Sequence, residues 1–243
     1  MHSNQYTLIY AAGLSILTAV ILALTAEGLK PAQQANVALD TKSNILKALR
    51  MDFTEREKIE EMYDSSIEDV VVTMSGDVQE DEGADDVDLK NQINKKPEER
   101  LLPLYIHTAG SGEKHYVIPV RGTGLWGPIW GYIALEDDFN TVYGAYFDHK
   151  AETPGLGAEI AEEPFQRQFQ GKKIMSEDGK FVSVNVVKST AKSDVAPEHR
   201  VDAISGGTIT SNGTDLMLEN VLAPYVVYFE KLKDKKQIAA SEN

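Results

Sequence analysis

A long uncharged segment near the N-terminus constrains this chain more than any other feature. Residues 6–26 (YTLIYAAGLSILTAVILALTA) contain no Asp, Glu, Lys or Arg. A helix of about 20 apolar residues is long enough to cross a bilayer. The run exceeds the roughly 7–15 apolar residues of a cleavable signal, and residues 1–5 lack the Lys or Arg that a signal carries. The segment predicts one uncleaved membrane anchor, with a cleavable signal peptide as the alternative.

The charges around this segment give a first indication of its orientation. No Lys or Arg precedes it, and the basic residues that follow it are Lys30, Lys42, Lys47 and Arg50. The positive-inside rule would then hold the large C-terminal part in the cytoplasm. Because the charges are so few, the sequence alone leaves the side of the membrane open.

Composition excludes several classes of function. The net charge of -14 argues against nucleic-acid binding, which needs a basic surface, and against attraction to anionic lipid headgroups. The chain has no cysteine, so it has no disulfide, thiolate metal site, iron–sulfur cluster or thiol-linked flavin of its own. We therefore predict no metal site and no nucleic-acid partner. Any metal centre that works with this protein must belong to another chain.

The rest of the chain divides into an N-terminal extension and one folded domain. We predict a tail and anchor over 1–31, ending at Leu29-Lys30-Pro31, then juxtamembrane helices and an acidic insertion over 32–100. The helices are expected at 32–49 and from residue 52 or 54 to 65, with Thr54–Glu57 as a capping box. The run 80–88 (EDEGADDVD) is a solvated loop without the spacing of a calcium site.

Strand-like segments and a helical pattern fill residues 101–243. The strands are predicted at 101–107, 114–119, 131–135, 141–148 and 180–187, with a short helix near 164–170 and a C-terminal helix. The sequence predicts an α+β fold: a single N-terminal transmembrane helix, then a domain with a twisted, mainly antiparallel sheet and flanking helices.

Residues 202–208 (DAISGGT) place a threonine hydroxyl behind two glycines and shortly before a predicted helix. The polar cluster 210–215 supplies capping side chains, and apolar residues recur with helical spacing over 218–232. Helix N-termini attract anions, and glycine lets the backbone approach a phosphate. The segment predicts an anion site with Thr208 just upstream of the helix. A loop with an N-cap and no ligand is the alternative.

Two further segments combine glycine, proline and aromatic residues. Residues 149–157 (HKAETPGLG) predict a stiff, polar-edged loop, because Pro154 has no N–H and biases Thr153 towards an extended backbone; a plain surface turn is the alternative. Residues 121–135 (RGTGLWGPIWGYIAL) predict a β-hairpin. Its tryptophans, Trp126 and Trp130, pack either at the edge of a cofactor or in the core.

The first two segments resemble, in the same order, two motifs of the FMN-binding domain family. Residues 202–208 are similar to its flavinylation motif, in which the last threonine carries FMN through a phosphoester; Gly207 stands where the family usually has alanine. The resemblance implies covalent FMN on Thr208. It implies that Asp202 and Ser205, with Gly206 and Gly207, shape the site that a flavin transferase recognises. It also implies a flavin-ring pocket lined by His149, Glu152, Thr153, Gly155, Leu156 and Gly157, with Leu125 and Trp126 nearby.

The whole chain is similar to the C-type subunit family of Na+-translocating NADH:quinone reductases, which is related to the G-type subunit of the Rnf complex. The similarity covers the anchor, residues 29–46 (LKPAQQANVALDTKSNIL), both flavin motifs and the C-terminal helix. It implies an electron carrier that relays electrons through FMN to quinone within a membrane complex, with the other subunits and the transferase as partners. It implies a single pass through the inner membrane with most of the chain on the periplasmic side, against the charge rule.

Three alternatives to that function stay open at this point. The first alternative is a G-type subunit of the ferredoxin-oxidising Rnf complex. The second is a free-standing FMN-dependent reductase, and the third is a tethered binding or scaffold protein without redox activity. The sequence has no Rossmann fingerprint or Walker loop, so we expect no NADH site and no catalytic side chain of its own.

Overall fold

The chain divides into two compact units, residues 1–42 and residues 43–243. The computed structural model describes residues 4–92, 95–188 and 194–241. The first unit is helical throughout its described part. Helix α1 (Asn4–Ala48) begins in this unit. Among the described residues it is the one helix with the length and composition to cross a bilayer. A signal sequence near the N-terminus meets the same criterion.

Helix α1 continues without a break from the apolar segment to Ala48. The prediction that the helix ends at Leu29–Pro31 and restarts at residue 32 is therefore wrong. Proline removes one backbone hydrogen bond and tends to kink a helix, but good helix formers on both sides of Pro31 let it continue. The helix ends in a Schellman motif, in which Arg50 has a φ of 61° and the Met51 N–H donates to the Leu46 carbonyl at 2.9 Å.

Two more elements and the acidic segment lead into the sheet. Helix α2 (Arg56–Ser66) begins after Glu55 with no side-chain cap, so the predicted Thr54 capping box is wrong; the helix starts too late for it. Strand β1 (Ile67–Thr73) and the short β2 (Val78–Gln79) follow. The acidic run includes a 3-10 turn at Ala84–Asp86 and precedes the short helix α3 (Leu89–Gln92). Its acidic side chains are mostly exposed.

A six-stranded antiparallel sheet forms the centre of the second unit, with the order β2-β1-β3-β4-β5-β6. Its other strands are β3 (Leu101–Thr108), β4 (Lys114–Thr123), β5 (Pro128–Leu135) and β6 (Val142–His149). The short helix α4 (Glu163–Gln166) comes next, and β7 (Asn185–Val187) pairs in parallel with β8 (Arg200–Asp202). The predicted α+β class is confirmed. The predicted long strand at 180–187 is wrong, because Ser183 has a φ of 62° and interrupts the extended backbone.

Two C-terminal helices cover one face of the sheet. These are α5 (Thr208–Leu222) and α6 (Tyr225–Ser241), so the single predicted helix is divided before Pro224, which cannot donate a backbone hydrogen bond. Their buried residues share one core with alternate residues of β3 to β6. A second buried set comes from the end of α1 and from α2, with Ala48 approaching Gly144 of β6; it comprises Ile45, Leu46, Ala48, Leu49, Ile59 and Tyr63.

Tyr225 connects α6 to the sheet through a buried hydrogen bond. Its side chain is fully buried, burial raises its pKa, and its hydroxyl donates to the Pro103 carbonyl at 2.7 Å. We expect Tyr225→Phe to lower the free energy of unfolding by about 1–2 kcal/mol, because that buried carbonyl loses its donor. Urea denaturation of the detergent-solubilised chain measures the change. Tyr143→Phe, with no hydroxyl hydrogen bond in the described chain, is the control, and equal loss in both variants would contradict the prediction.

A buried histidine pair predicts that acid destabilises this fold. His107 and His115 lie directly opposite each other on β3 and β4, with 3.3 Å between their Nδ1 atoms. Burial lowers both pKa values from 6.5, and repulsion by His115 lowers that of His107 further. The unfolded chain therefore binds more protons than the folded chain as pH falls through about 6.5, and stability falls with it.

Urea denaturation at several pH values between about 7.5 and 5.5 checks this sign. We expect the wild-type midpoint to fall more steeply with acid than that of a His107→Gln, His115→Gln double variant. Parallel curves for the two proteins would show that the pair does not titrate as proposed.

Candidate functional site

Three segments that are distant in sequence meet around the buried carboxylate of Glu152. They are the turn 124–127 between β4 and β5, the loop 150–157 after β6, and the first turn of α5, which follows the loop 203–207. The Trp126 N–H donates to Glu152 Oε1 at 2.8 Å, and the Thr210 hydroxyl donates to Oε2 at 2.6 Å. Glu152 is only 5% exposed. One side chain thus connects the turn, the loop and the first turn of α5.

Glycine at two positions makes room for this carboxylate. A Cβ at Gly124 would lie 2.6 Å from Glu152 Oε1. A Cβ at Gly157 would overlap both Glu152 Oε2 and the Thr210 hydroxyl. Gly124 and Gly157 are therefore required by the close approach of Glu152, in addition to any role next to a ligand.

The two loops close with the same kind of turn. In each, an N–H donates at 3.1 Å to the carbonyl three residues earlier: Leu156 to Thr153, and Gly207 to Ile204. The third position of each turn is a glycine with positive φ, Gly155 at 73° and Gly206 at 78°. This is the conformation for which glycine is preferred, and Pro154 fixes φ at the second position of the first turn.

Thr208 is the first residue of α5, not a residue upstream of it as the sequence predicted. It is half-buried, and Gly207 is the N-cap residue. The Ile204 side chain lies where an alanine methyl at 207 would be, 2.9 Å from a Cβ built there, so Gly207 leaves room for it. The departure from the family pattern therefore has a local packing reason.

The polar cluster 210–215 does not cap the helix, contrary to expectation. Its side chains bond to neighbouring segments instead: Thr210 to Glu152, Ser211 Oγ accepting from the Ile204 N–H at 3.1 Å, and Asp215 accepting from the Val186 N–H at 2.7 Å. Burial raises the pKa of Asp215. These bonds hold the start of α5 against the loops around it.

Four large apolar side chains on the turn 124–127, the loop 150–157 and the first turn of α5 are exposed, and we call them the apolar patch. Their exposed fractions are Leu125 50%, Trp126 64%, Leu156 42% and Ile209 57%. Leu156 packs against Gly206, since its Cδ2 is 2.6 Å from a Cβ built there. Because its side chain is exposed, Trp126 does not fill the core, whereas Trp130 is half-buried. Large apolar side chains that are exposed on bonded neighbouring segments indicate a surface for a ligand or a partner protein.

The other predicted site residues differ in exposure and in whether they bond to Glu152. The His149 Nδ1 accepts the Glu152 N–H at 3.2 Å, so His149 orients the loop. Thr153 is exposed and bonds within its own turn through its carbonyl. Asp202 ends β8 with an exposed side chain, and Ser205 is also exposed.

Sequence reasoning missed Thr210 and Gly213 as parts of the site. The polar cluster 210–215 predicts that Thr210 caps the helix, and the sequence does not reveal its actual partner, which lies 58 residues away. Gly213 lets α5 touch the turn, since a Cβ there would overlap the Thr123 carbonyl oxygen. The glycine in a helical pattern was the one available signal of such a close approach.

Comparison with known proteins agrees with this geometry. Residues 124–223 match the FMN-binding domain family. The C subunit of the Na(+)-translocating NADH-quinone reductase from Vibrio vulnificus is 32% identical, over 87% of this chain and 88% of the relative. The corresponding protein from Haemophilus ducreyi is also 32% identical, over 89% and 91%. This chain belongs to the NqrC family.

Solved structures of the NqrC family share this fold. The structure of the reductase's C subunit from Parabacteroides distasonis has a TM-score of 0.75 and 39% identity, covering 83% of this chain and 96% of that one. The Shewanella oneidensis NqrC structure has a TM-score of 0.69 and 26% identity, covering 80% and 97%. The FMN-binding domain match begins at the turn 124–127 and ends just after α5, so it includes every predicted site residue.

Proposed function

We propose that this chain is an electron-carrying subunit of a Na+-translocating NADH:quinone reductase and that it holds FMN through a phosphoester on Thr208. The observation that carries the proposal is that the turn 124–127 and the loop 150–157 are bonded through Glu152 to Thr210 in the first turn of α5, and that the loop 203–207 leads directly into Thr208. Each segment comes from a different part of the FMN-binding domain match.

The residues present fit a flavin phosphate. Thr208 offers a half-buried hydroxyl at the start of a 15-residue helix. The N–H groups of the first helical turn have no partner within the helix, and the helix dipole favours a negative group there. Gly206 and Gly207 have no side chains of their own there, and the space beside them is occupied by the side chains of Leu156 and Ile204.

The apolar patch fits the ring system of a flavin. Leu125, Trp126, Leu156 and Ile209 offer exposed apolar and aromatic contact area on the segments that meet at the first turn of α5, and aromatic pairs prefer offset or edge-on packing. FMN, when bound, supplies the redox chemistry, and the residues of this chain position it and exclude water from one side. The exposed Asp202 and Ser205 support recognition by a flavin transferase, which must reach the threonine.

Helix α1 supports a membrane anchor with a single pass. We propose that it lies in the inner membrane and that the second unit faces the periplasm. Covalent attachment has a physical reason there, because a flavin lost outside the cytoplasm cannot be replaced from the cytosolic pool. The proposed partners are the other subunits of the complex and the flavin transferase.

Expression with and without a flavin transferase tests the proposal. The expected result is in-gel flavin fluorescence of the denatured chain only when the transferase is present, with the FMN phosphate mapped to Thr208 by peptide mass spectrometry. A colourless chain would favour a tethered scaffold, and turnover of a soluble acceptor by the isolated chain would favour a free-standing reductase. Co-purification with Rnf subunits would favour the G-type alternative.

A further inference from the structure

Glu152 is unusual because its neighbours are exposed and it is not. Residues 150, 151 and 153–156 are all exposed, whereas Glu152 is 5% exposed. Burying a carboxylate is unfavourable unless hydrogen bonds replace its hydration. Both oxygens of Glu152 accept hydrogen bonds, and its own N–H donates to His149. This turn of the loop is therefore built around the carboxylate.

The two hydrogen bonds accepted by the Glu152 carboxylate come from α5 and from the turn 124–127. Thr210 lies two residues after Thr208 in the first turn of α5, so its bond to Oε2 fixes the start of that helix. Trp126 belongs to the apolar patch, and its backbone N–H donates to Oε1 of the same carboxylate. One buried carboxylate thus sets the separation between the first turn of α5, which contains Thr208, and the backbone of Trp126.

The glycines beside the Glu152 carboxylate let it lie close to both of its hydrogen-bond donors, Trp126 and Thr210. Gly124 and Gly157 have no side chains that would separate Glu152 from Trp126 or from Thr210. The carboxylate lies between the two segments, with one oxygen bonded to each. This differs from the ring contact that the family resemblance implies for Glu152.

We propose that Glu152 is a positioning residue that holds Trp126 at a fixed place relative to Thr208 and so sets the geometry in which the flavin ring meets the patch. This inference rests on the proposed flavin site. Its basis is the pair of hydrogen bonds to segments on either side of the loop. Hydrogen bonds to a charged group are stronger than neutral ones, and such buried networks favour one arrangement.

The variants separate position from charge. Glu152→Gln keeps both contacts, because its amide oxygen accepts from Trp126 and its NH2 donates to the Thr210 hydroxyl. Glu152→Leu removes both contacts. Thr210→Val removes one contact at nearly constant shape, and Thr210→Ser keeps it. If Glu152→Leu fails to fold, the Thr210 pair decides the question by the same readouts.

The first readout needs no flavin. In a Trp130→Phe background of the full chain in detergent, Trp126 is the single tryptophan. We expect Glu152→Leu and Thr210→Val to lower its fluorescence anisotropy and shift its emission, and Glu152→Gln and Thr210→Ser to match the parent. If anisotropy and emission are the same in all variants, Glu152 does not position Trp126 and the inference is overturned.

The second readout uses the flavin-loaded chain, because a nearby indole quenches flavin fluorescence. We expect Glu152→Leu and Thr210→Val to relieve this quenching severalfold and to shift the flavin midpoint potential, with the flavin still on Thr208. Glu152→Gln should match the parent. If Glu152→Gln behaves like Glu152→Leu, the charge matters and not the position, and the inference is overturned. If the parent chain carries no flavin, the proposed function fails, whereas the anisotropy result still decides the role of Glu152.

Discussion

A Thr208→Ala variant, expressed with the flavin transferase, is expected to carry no covalent flavin. Alanine has no hydroxyl to form the phosphoester, so labelling falls to background instead of decreasing gradually. In the described chain the Thr208 hydroxyl makes no hydrogen bond, so we expect the fold to lose no more than about 0.5 kcal/mol. In-gel fluorescence and peptide mass spectrometry measure the loss. In the intact complex, quinone reduction should fall to background.

Thr208→Ser is the matched control for this change. It keeps a hydroxyl at the same backbone position and lacks only the methyl group, so we expect it to retain measurable labelling. A fluorescent band in Thr208→Ala at the parental intensity would place the flavin elsewhere. Normal sodium-dependent turnover by a complex that contains this variant would count against the assignment as a whole.

The second large effect is expected from Gly213→Ala. The added Cβ would overlap the Thr123 carbonyl oxygen and lie 3.5 Å from the Gly124 Cα. Both neighbours are backbone, so a change of rotamer cannot relieve the overlap and α5 must shift away from the turn 124–127. Overpacking costs about 1–3 kcal/mol, and the better helix propensity of alanine offsets at most about 1 kcal/mol of it.

We therefore expect Gly213→Ala to lower the free energy of unfolding by about 2 kcal/mol and to reduce flavin labelling at Thr208. Urea denaturation and in-gel fluorescence of the same preparations measure the two effects. Gly110→Ala is the control, because a Cβ there meets nothing within 4 Å. Unchanged stability in Gly213→Ala would show that α5 does not depend on this close approach.

The sequence predicted the strands of the central sheet well and the ends of the helices less well. Strands β3, β4 and β6 lie where alternation and apolar runs placed them, because that signal is local. Pro31 did not end α1, and Thr54 did not cap α2, because each is a local preference that the surrounding chain overrides. At residues 180–187 the composition favoured a strand, but Ser183 adopts positive φ between two short pairings.

In the candidate site, too, the sequence identified the local motifs but not the contacts between distant residues. Residue order alone identified Thr208 and the loop of Leu156 as candidates, since each motif lies within a short stretch of chain. The pairing of Glu152 with Thr210 could not be predicted, because it joins residues 58 positions apart. In the same way Thr210 and Ser211, which have the composition of capping residues, bond to other segments in the folded chain.

By itself the sequence determined the long apolar N-terminal segment, the antiparallel sheet and the candidate attachment threonine, because each depends on the spacing or order of nearby residues. The tertiary structure alone decided that α5 begins at Thr208, that Glu152 is buried between two segments, and that Leu125, Trp126, Leu156 and Ile209 stay exposed together. The physical reason is that burial and hydrogen-bond partners depend on which segments approach in space. That approach is set by the packing of the whole domain.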